Sequence, residues 1–183
     1  MVGRLGRVFV AAPLADEVRI ALADRLRGID LPGKVAPPEN WHMTLRFLGN
    51  LDEVTYERFL GLLDASDLGH SFRVGLGGLG AFPRPRSATV VWVDVDQGGD
   101  RLLELSAACE EAAQGAGLAP EDRPFRPHLT LSRLRPGQDV TDLVSGWGGF
   151  DIRWRCDSVV VYRSHLGRGG ARYEPLETLP LIR

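Results

Sequence analysis

The chain has 183 residues, of which 44% are hydrophobic and 25% are charged, and its formal net charge is −2. This composition is typical of a folded globular protein, and it excludes disordered, collagen-like and disulfide-framework proteins. With two cysteines and no stretch of about 18 uncharged apolar residues, the sequence predicts a cytoplasmic protein with free thiols and no membrane partner.

The 22 basic residues comprise a single lysine, Lys34, and 21 arginines. A net charge near zero argues against a long electrostatic track for nucleic acid, which normally shows as a basic excess. Guanidinium groups nevertheless form bidentate contacts with phosphate. A genome that favours arginine codons also accounts for this bias, so the composition leaves a phosphate-bearing partner open without requiring one.

The first half of the chain predicts a strand, a helix, a turn-rich segment and a second strand. Residues 7–12 form a β-prone run, and apolar residues recur at helical spacing over 14–27. Prolines and glycines indicate turns over 30–40, and side chains alternate as in a strand over 41–48. The next predicted elements are a helix capped by Asp52 and ending near Leu63, a strand over 70–79 and an extended loop over 82–86.

The second half begins in the same way. Residues 88–96 predict a strand, and residues 101–114 predict an amphipathic helix. A proline-rich turn over 120–127 leads into a strand over 128–134. The remaining predicted elements are strands over 150–155 and 158–164, a glycine-rich loop over 166–170 and a last strand near 173–177.

The order of strand, helix, proline-rich loop and His-x-Thr strand therefore occurs twice. Phe9 precedes His42 by 33 residues, and Trp92 precedes His128 by 36. Such an internal duplication predicts one domain over residues 1–183 made of two pseudo-symmetric lobes. We expect an α+β fold in which each lobe is a largely antiparallel sheet with helices on its outer face, around a central cleft on a pseudo-two-fold axis. A single mixed sheet without symmetry is the alternative.

Two of the four histidines lie in the frame His-x-Thr-Leu. Because side chains alternate along a strand, His42 shares a face with Thr44, and His128 shares a face with Thr130. If the lobes face each other, one imidazole can take a proton from an attacking water while the other gives a proton to a leaving oxygen. The hydroxyls can bind the non-bridging oxygens of a phosphate. The residues thus predict hydrolysis of a phosphodiester with no metal ion and no cofactor, and they leave open which histidine is the acid.

These motifs and their flanks resemble the 2H phosphoesterase superfamily, and within it the bacterial and archaeal RNA 2′,3′-cyclic phosphodiesterases, also called 2′-5′ RNA ligases. The similar segments run nearly end to end and include Arg-Val-Phe-Val-Ala (7–11), Pro-Glu-Asn-Trp-His-Met-Thr-Leu-Arg-Phe-Leu-Gly (38–49), Gly-Leu-Gly-Ala-Phe-Pro (78–83) and residues 123–133 and 162–173. The resemblance implies hydrolysis of a terminal 2′,3′-cyclic phosphate of RNA to a 2′-phosphomonoester, and joining of RNA ends through a 2′-5′ linkage in vitro.

The resemblance also implies roles for the motif residues. It makes His42 the proton donor to the departing 3′ oxygen and His128 the proton acceptor that activates water, with Thr44 and Thr130 as phosphate-binding hydroxyls. The expected partner is RNA with a 2′,3′-cyclic phosphate end, with tRNA fragments as candidates, and the expected state is a monomer. Two other functions stay open: action on small cyclic nucleotides or ADP-ribose 1″,2″-cyclic phosphate, and non-catalytic binding of RNA ends.

Two arginines are candidate substrate contacts on the motif strands. Alternation puts Arg46 on the face of the first histidine and threonine, where it can reach a phosphate or simply be a surface arginine. Arg133 has the opposite parity on its own strand, so it is expected to point away from the site unless a bulge turns it back.

Two aromatic residues are further candidates for substrate binding. Phe125 precedes the second motif and can stack on a base, or pack in the core as most such residues do. Tyr162 can line the cleft, or simply flank a tight turn between two strands.

Overall fold

The computed structural model describes residues 3–183, so Met1 and Val2 of the predicted domain lie outside the described residues. The strands within them are β1 (Arg4–Pro13), β2 (Lys34–Val35), β3 (His42–Asp52), β4 (Phe72–Phe82), β5 (Ala88–Gln97), β6 (His128–Gln138), β7 (Ile152–Cys156), β8 (Ser158–Gly167) and β9 (Gly170–Pro180). The helices are α1 (Asp16–Leu26), α2 (Glu53–Asp64), α3 (Gly99–Gly115) and α4 (Thr141–Ser145).

Most of these elements lie where the sequence pattern predicts them. The predicted cap of α2 is confirmed, because the Asp52 carboxylate accepts a hydrogen bond from the Thr55 backbone amide at 2.8 Å. The predicted loop over 82–86 begins too early, since Phe82 is the last residue of β4. The short elements β2 and α4 were not predicted, because two and five residues are too few to show a periodicity.

The strands form two antiparallel sheets with matching order. The first sheet runs β3-β1-β8-β9, and the second runs β6-β5-β4-β7 with β2 added beside β6. The predicted α+β fold with antiparallel sheets is thereby confirmed. The sheets do not divide the chain at its midpoint, because the last hairpin, β8 and β9, returns to pair with β1.

The strand register shows which residues of the two sheets are equivalent. Thr44 pairs with Ala11 across β3 and β1, and Thr130 pairs with Trp92 across β6 and β5. Trp92 is therefore the equivalent of Ala11, two residues beyond Phe9. Helix α3 has 17 residues and α1 has 11, so counting residues alone suggests the wrong pair.

Both sheets bury one face against the helices. On β3, Met43 and Leu45 are 0% and 3% exposed, and on β6, Leu129 and Leu131 are both 0% exposed. They share one core with side chains of α1, α2 and α3, among them Leu22, Phe59, Leu63, Leu102, Leu105 and Cys109. Because neighbouring side chains on a strand point to opposite faces, the histidine and threonine of each motif face away from this core. None of the helices within residues 3–183 is long and apolar enough to cross a membrane.

Candidate active site

The two motif strands, β3 and β6, contact each other where the sheets meet. His42 and His128 lie near each other at this junction, since the charge of His128 contributes to lowering the pKa of His42, and we call the surface between these two histidines the groove. The structure thus brings both histidines, together with Thr44 and Thr130, onto two adjoining strands.

The hydrogen bonds of His42 fix its tautomer. The Asn40 carbonyl oxygen lies 2.7 Å from Nδ1, and a carbonyl only accepts, so Nδ1 carries the proton. In the neutral ring Nε2 is then an acceptor, and the Thr44 hydroxyl, 2.9 Å away, donates to it. The turn before His42 is held by Arg19, which donates to the Trp41 carbonyl at 2.7 Å.

Aromatic rings surround His42. The centroid of its ring lies 4.8 Å from that of Phe9, 5.1 Å from that of Tyr173 and 6.4 Å from that of Tyr162. Burial among these rings lowers the pKa of His42 to about 4, and the positive charge of Arg19 acts in the same direction. In the free protein this imidazole is therefore neutral at pH 7.

His128 has the same tautomer in a more polar setting. Its Nδ1 donates to the Arg126 carbonyl at 2.7 Å, whereas among the described residues no side chain bonds to its Nε2. The Arg126 guanidinium lies 4.5 Å from the centroid of Trp92, whose ring is 5.9 Å from that of His128. Burial lowers the pKa of His128, as do the charges of Arg133 and Arg126, while Asp94 raises it.

A β-bulge reverses the alternation of β3 just after the first motif. The pairing with β1 passes from Thr44 to Arg46 in one step, which leaves Leu45 as the extra residue. The expectation that Arg46 shares the face of the histidine is therefore wrong. Its guanidinium instead forms an ion pair with Glu110 of α3 and donates to the Ala119 carbonyl at 2.6 Å, which ties β3 to the loop before the second motif.

The equivalent bulge in β6 has the opposite consequence for an arginine. The pairing with β5 passes from Thr130 to Ser132 in one step, so Leu131 is the extra residue. Arg133 is thereby returned to the face of His128, and its positive charge lowers the pKa of both histidines. From the sequence it was open whether a bulge turns Arg133 toward the site, and the structure contains that bulge.

The two aromatic candidates occupy different places. Phe125 is half-buried and packs against the main core. Tyr162 stacks on Phe9 with centroids 5.3 Å apart, in the wall beside His42. Tyr173, at the start of the predicted last strand, completes that wall by contacting both Phe9 and His42.

No group of three or more His, Cys, Asp or Glu side chains within residues 3–183 is arranged to hold a metal ion. What the groove offers is two imidazoles, two hydroxyls and a guanidinium. Such a set suits proton transfer at an anionic phosphorus centre.

The chain is similar in sequence to a known family of proteins. A family model described as the 2′-5′ RNA ligase superfamily matches residues 10–168. An Aeropyrum pernix protein named RNA 2′,3′-cyclic phosphodiesterase is 36% identical over 79% of this chain and 73% of its own length. An Escherichia coli protein of the same name is 30% identical over 93% of this chain and 94% of its own.

The fold matches solved structures over nearly the whole chain. The crystal structure of E. coli LigT in apo form has a TM-score of 0.83 and 27% identity, over 97% of this chain and 98% of that one. The structure of LigT complexed with 3′-AMP has a TM-score of 0.84 and 27% identity, over 97% of this chain and 99% of that one.

Proposed function

This chain belongs to the 2′-5′ RNA ligase superfamily, and we propose that it hydrolyses the terminal 2′,3′-cyclic phosphate of RNA to a 2′-phosphomonoester. The observation that carries the proposal is the pairing of two histidines with one tautomer on adjoining strands. Each Nδ1 is held by a backbone carbonyl, so Nε2 is the free or hydroxyl-bonded nitrogen on both rings. Arg133, whose charge reaches both rings, supplies the cation for the phosphate.

In the proposed reaction His128 is the base. Its ring is neutral at pH 7, because its pKa lies below the usual value, and its Nε2 lone pair has no side-chain partner among the described residues. Nε2 takes a proton from water as the water oxygen bonds to phosphorus. The bond from phosphorus to the 3′ oxygen then breaks, which leaves the phosphate on the 2′ oxygen.

His42 is the proposed donor to the departing 3′ oxygen. With a pKa of about 4 in the free protein, it must take up its proton as substrate binds. A phosphodiester anion beside the ring favours the charged imidazolium and so raises this pKa. The protonated Nε2 can then give its proton to the oxygen, while the Thr44 and Thr130 hydroxyls hydrogen-bond the non-bridging oxygens.

The proposed substrate class is taken from the names of the relatives. We propose that the partner is RNA with a 2′,3′-cyclic phosphate end, including tRNA fragments, and that the protein is a monomer. A 5′-hydroxyl attacking phosphorus in place of water, with the same 3′ oxygen leaving, would give a 2′-5′ linkage at the same groups. The catalytic geometry is the same for small cyclic nucleotides, so substrate assays must separate these cases.

An end-group assay tests the proposal. The protein is incubated in EDTA with an RNA oligomer that carries a 2′,3′-cyclic phosphate, and with ADP-ribose 1″,2″-cyclic phosphate at the same concentration. We expect metal-independent conversion of the RNA to a 2′-phosphate, with slower turnover of the small substrate. A 3′-phosphate product, dependence on a divalent ion, or binding without turnover would contradict it.

A further inference from the structure

Lys34 stands beside Arg133 at the edge of the second sheet. The two-residue strand β2 pairs with β6 so that Lys34 lies opposite Arg133. Directly opposite residues of an antiparallel pair point to the same face of the sheet. Lys34, the single lysine of the chain, therefore shares the face that the β6 bulge turns toward the histidines.

The ammonium group of Lys34 also reaches the first sheet. Its Nζ lies 3.9 Å from the position that a Cβ would take on Gly170, at the turn of the β8–β9 hairpin. This hairpin carries Tyr162 and Tyr173, which contact His42. Lys34 thus extends from the edge of one sheet to a loop of the other, at the mouth of the groove.

The charges of Lys34 and Arg133 are not neutralised by neighbours. Neither side chain takes part in an ion pair or a side-chain hydrogen bond with any other residue of the 3–183 range. Arg133 perturbs the pKa of both histidines, whereas Lys34 is not among the charges that perturb either one. From the histidines outward along the groove, Arg133 therefore comes first and Lys34 second.

We propose that Lys34 binds the phosphodiester on the 5′ side of the terminal nucleotide, while the cyclic phosphate occupies the histidine site. This rests on the proposed function and makes an oligonucleotide, rather than a mononucleotide, the favoured substrate. A second unpaired cation just beyond the first meets the next phosphate of the same RNA strand, since phosphate contacts position a strand without reading its bases. A nucleoside 2′,3′-cyclic phosphate has no phosphate to place there.

Kinetics on two substrates test the subsite. For Lys34→Ala, we expect the ratio of kcat/KM on a trinucleotide 2′,3′-cyclic phosphate to kcat/KM on a nucleoside 2′,3′-cyclic phosphate to fall roughly 3- to 10-fold. The slope of log(kcat/KM) against log(salt) for the trinucleotide should become shallower by about 0.7, the loss of one contact to a single strand. Lys34→Arg should keep the ratio, as should Arg58→Ala, an exposed arginine on α2.

The single lysine offers a second measurement that does not depend on turnover. Reductive methylation with ¹³C-formaldehyde gives one lysine side-chain NMR signal, identified by its loss in Lys34→Arg. We expect it to shift with a trinucleotide 3′-phosphate and not with a nucleoside 3′-phosphate. An unchanged kinetic ratio with an unmoved signal would overturn the subsite; a shift without hydrolysis of either substrate would support it and overturn the proposed function.

Discussion

In the first sheet the Thr44 hydroxyl bonds to Nε2 of its histidine, whereas in the second sheet Nε2 of His128 has no side-chain partner among residues 3–183. The residue opposite the histidine also differs, because Pro13 faces His42 and Asp94 faces His128. The carboxylate favours a charged imidazole, and the proline offers no charge. Two strands with one motif and one tautomer therefore surround their histidines with different charges.

The bulges extend this difference to the next residue on the groove face. Phe47 occupies that position in β3, next to Phe9, and Arg133 occupies it in β6. The position after the bulge is thus aromatic in β3 and cationic in β6, while aromatic rings lie beside both histidines, Phe82 and Trp92 being those next to His128. The two sheets thus share their strand order and the positions of their bulges, while the residues that flank each motif differ.

The largest effect is expected from removing either histidine. His42→Ala and His128→Ala should each lower kcat by roughly 10²- to 10⁴-fold, the usual contribution of a positioned acid or base. His70→Ala, outside both motifs and exposed, should leave kcat within a factor of two or so of the parent. Steady-state kinetics on cyclic-phosphate RNA measures all three, and near-normal turnover in either motif variant would exclude paired proton transfer.

A substrate with sulfur in place of the bridging 3′ oxygen separates the two roles. A thiolate leaves without a proton. With this substrate, the variant that lacks the acid should therefore regain most of its activity, and the variant that lacks the base should regain none. We expect recovery in His42→Ala. Recovery in His128→Ala instead would reverse the assignment while keeping the site.

The burial of His42 predicts a dependence of stability on pH. Its pKa is about 4 when folded and near 6.5 when unfolded, so below pH 6.5 the unfolded chain binds a proton that the folded chain does not. Stability is then lost as pH falls from 6.5 to 4, by up to about 3 kcal/mol. Urea unfolding at several pH values should show a smaller loss in His42→Gln. Equal slopes in the parent and the variant would contradict the burial of a neutral ring.

Arg133 is expected to affect the histidines of both motifs. Arg133→Ala should raise KM for cyclic-phosphate RNA by roughly 10- to 100-fold through loss of a charged hydrogen bond. It should also raise the pKa of both histidines, because its positive charge lowers them, and so move the acidic limb of the kcat/KM profile to higher pH. An unshifted limb would place this guanidinium outside the groove, and Arg58→Ala is the matched surface control.

The sequence sufficed for the fold class and for the placement of both His-x-Thr frames on strands, because the repeated order of elements and the strand alternation are visible in linear order. It misplaced Arg46 and left Arg133 undecided, since a bulge is one extra residue whose position depends on the partner strand. Lys34 and Arg126 were overlooked for a related reason. Their neighbours in the groove come from distant parts of the chain, and no local pattern links them.

The smallest effect tests the bulges themselves. They make Arg46 and Ser132 equivalent, and both turn from the groove to the interior. Arg46 pairs with Glu110 there, whereas the fully buried Ser132 hydroxyl has no hydrogen-bond partner within residues 3–183. An unpaired buried hydroxyl costs about 1 kcal/mol or more, so Ser132→Ala should raise the free energy of unfolding by about 1 kcal/mol and leave kcat/KM unchanged. If Ser132→Ala were instead less stable than the parent, the Ser132 hydroxyl would have to be hydrogen-bonded. The two bulges would then not place Arg46 and Ser132 in equivalent environments.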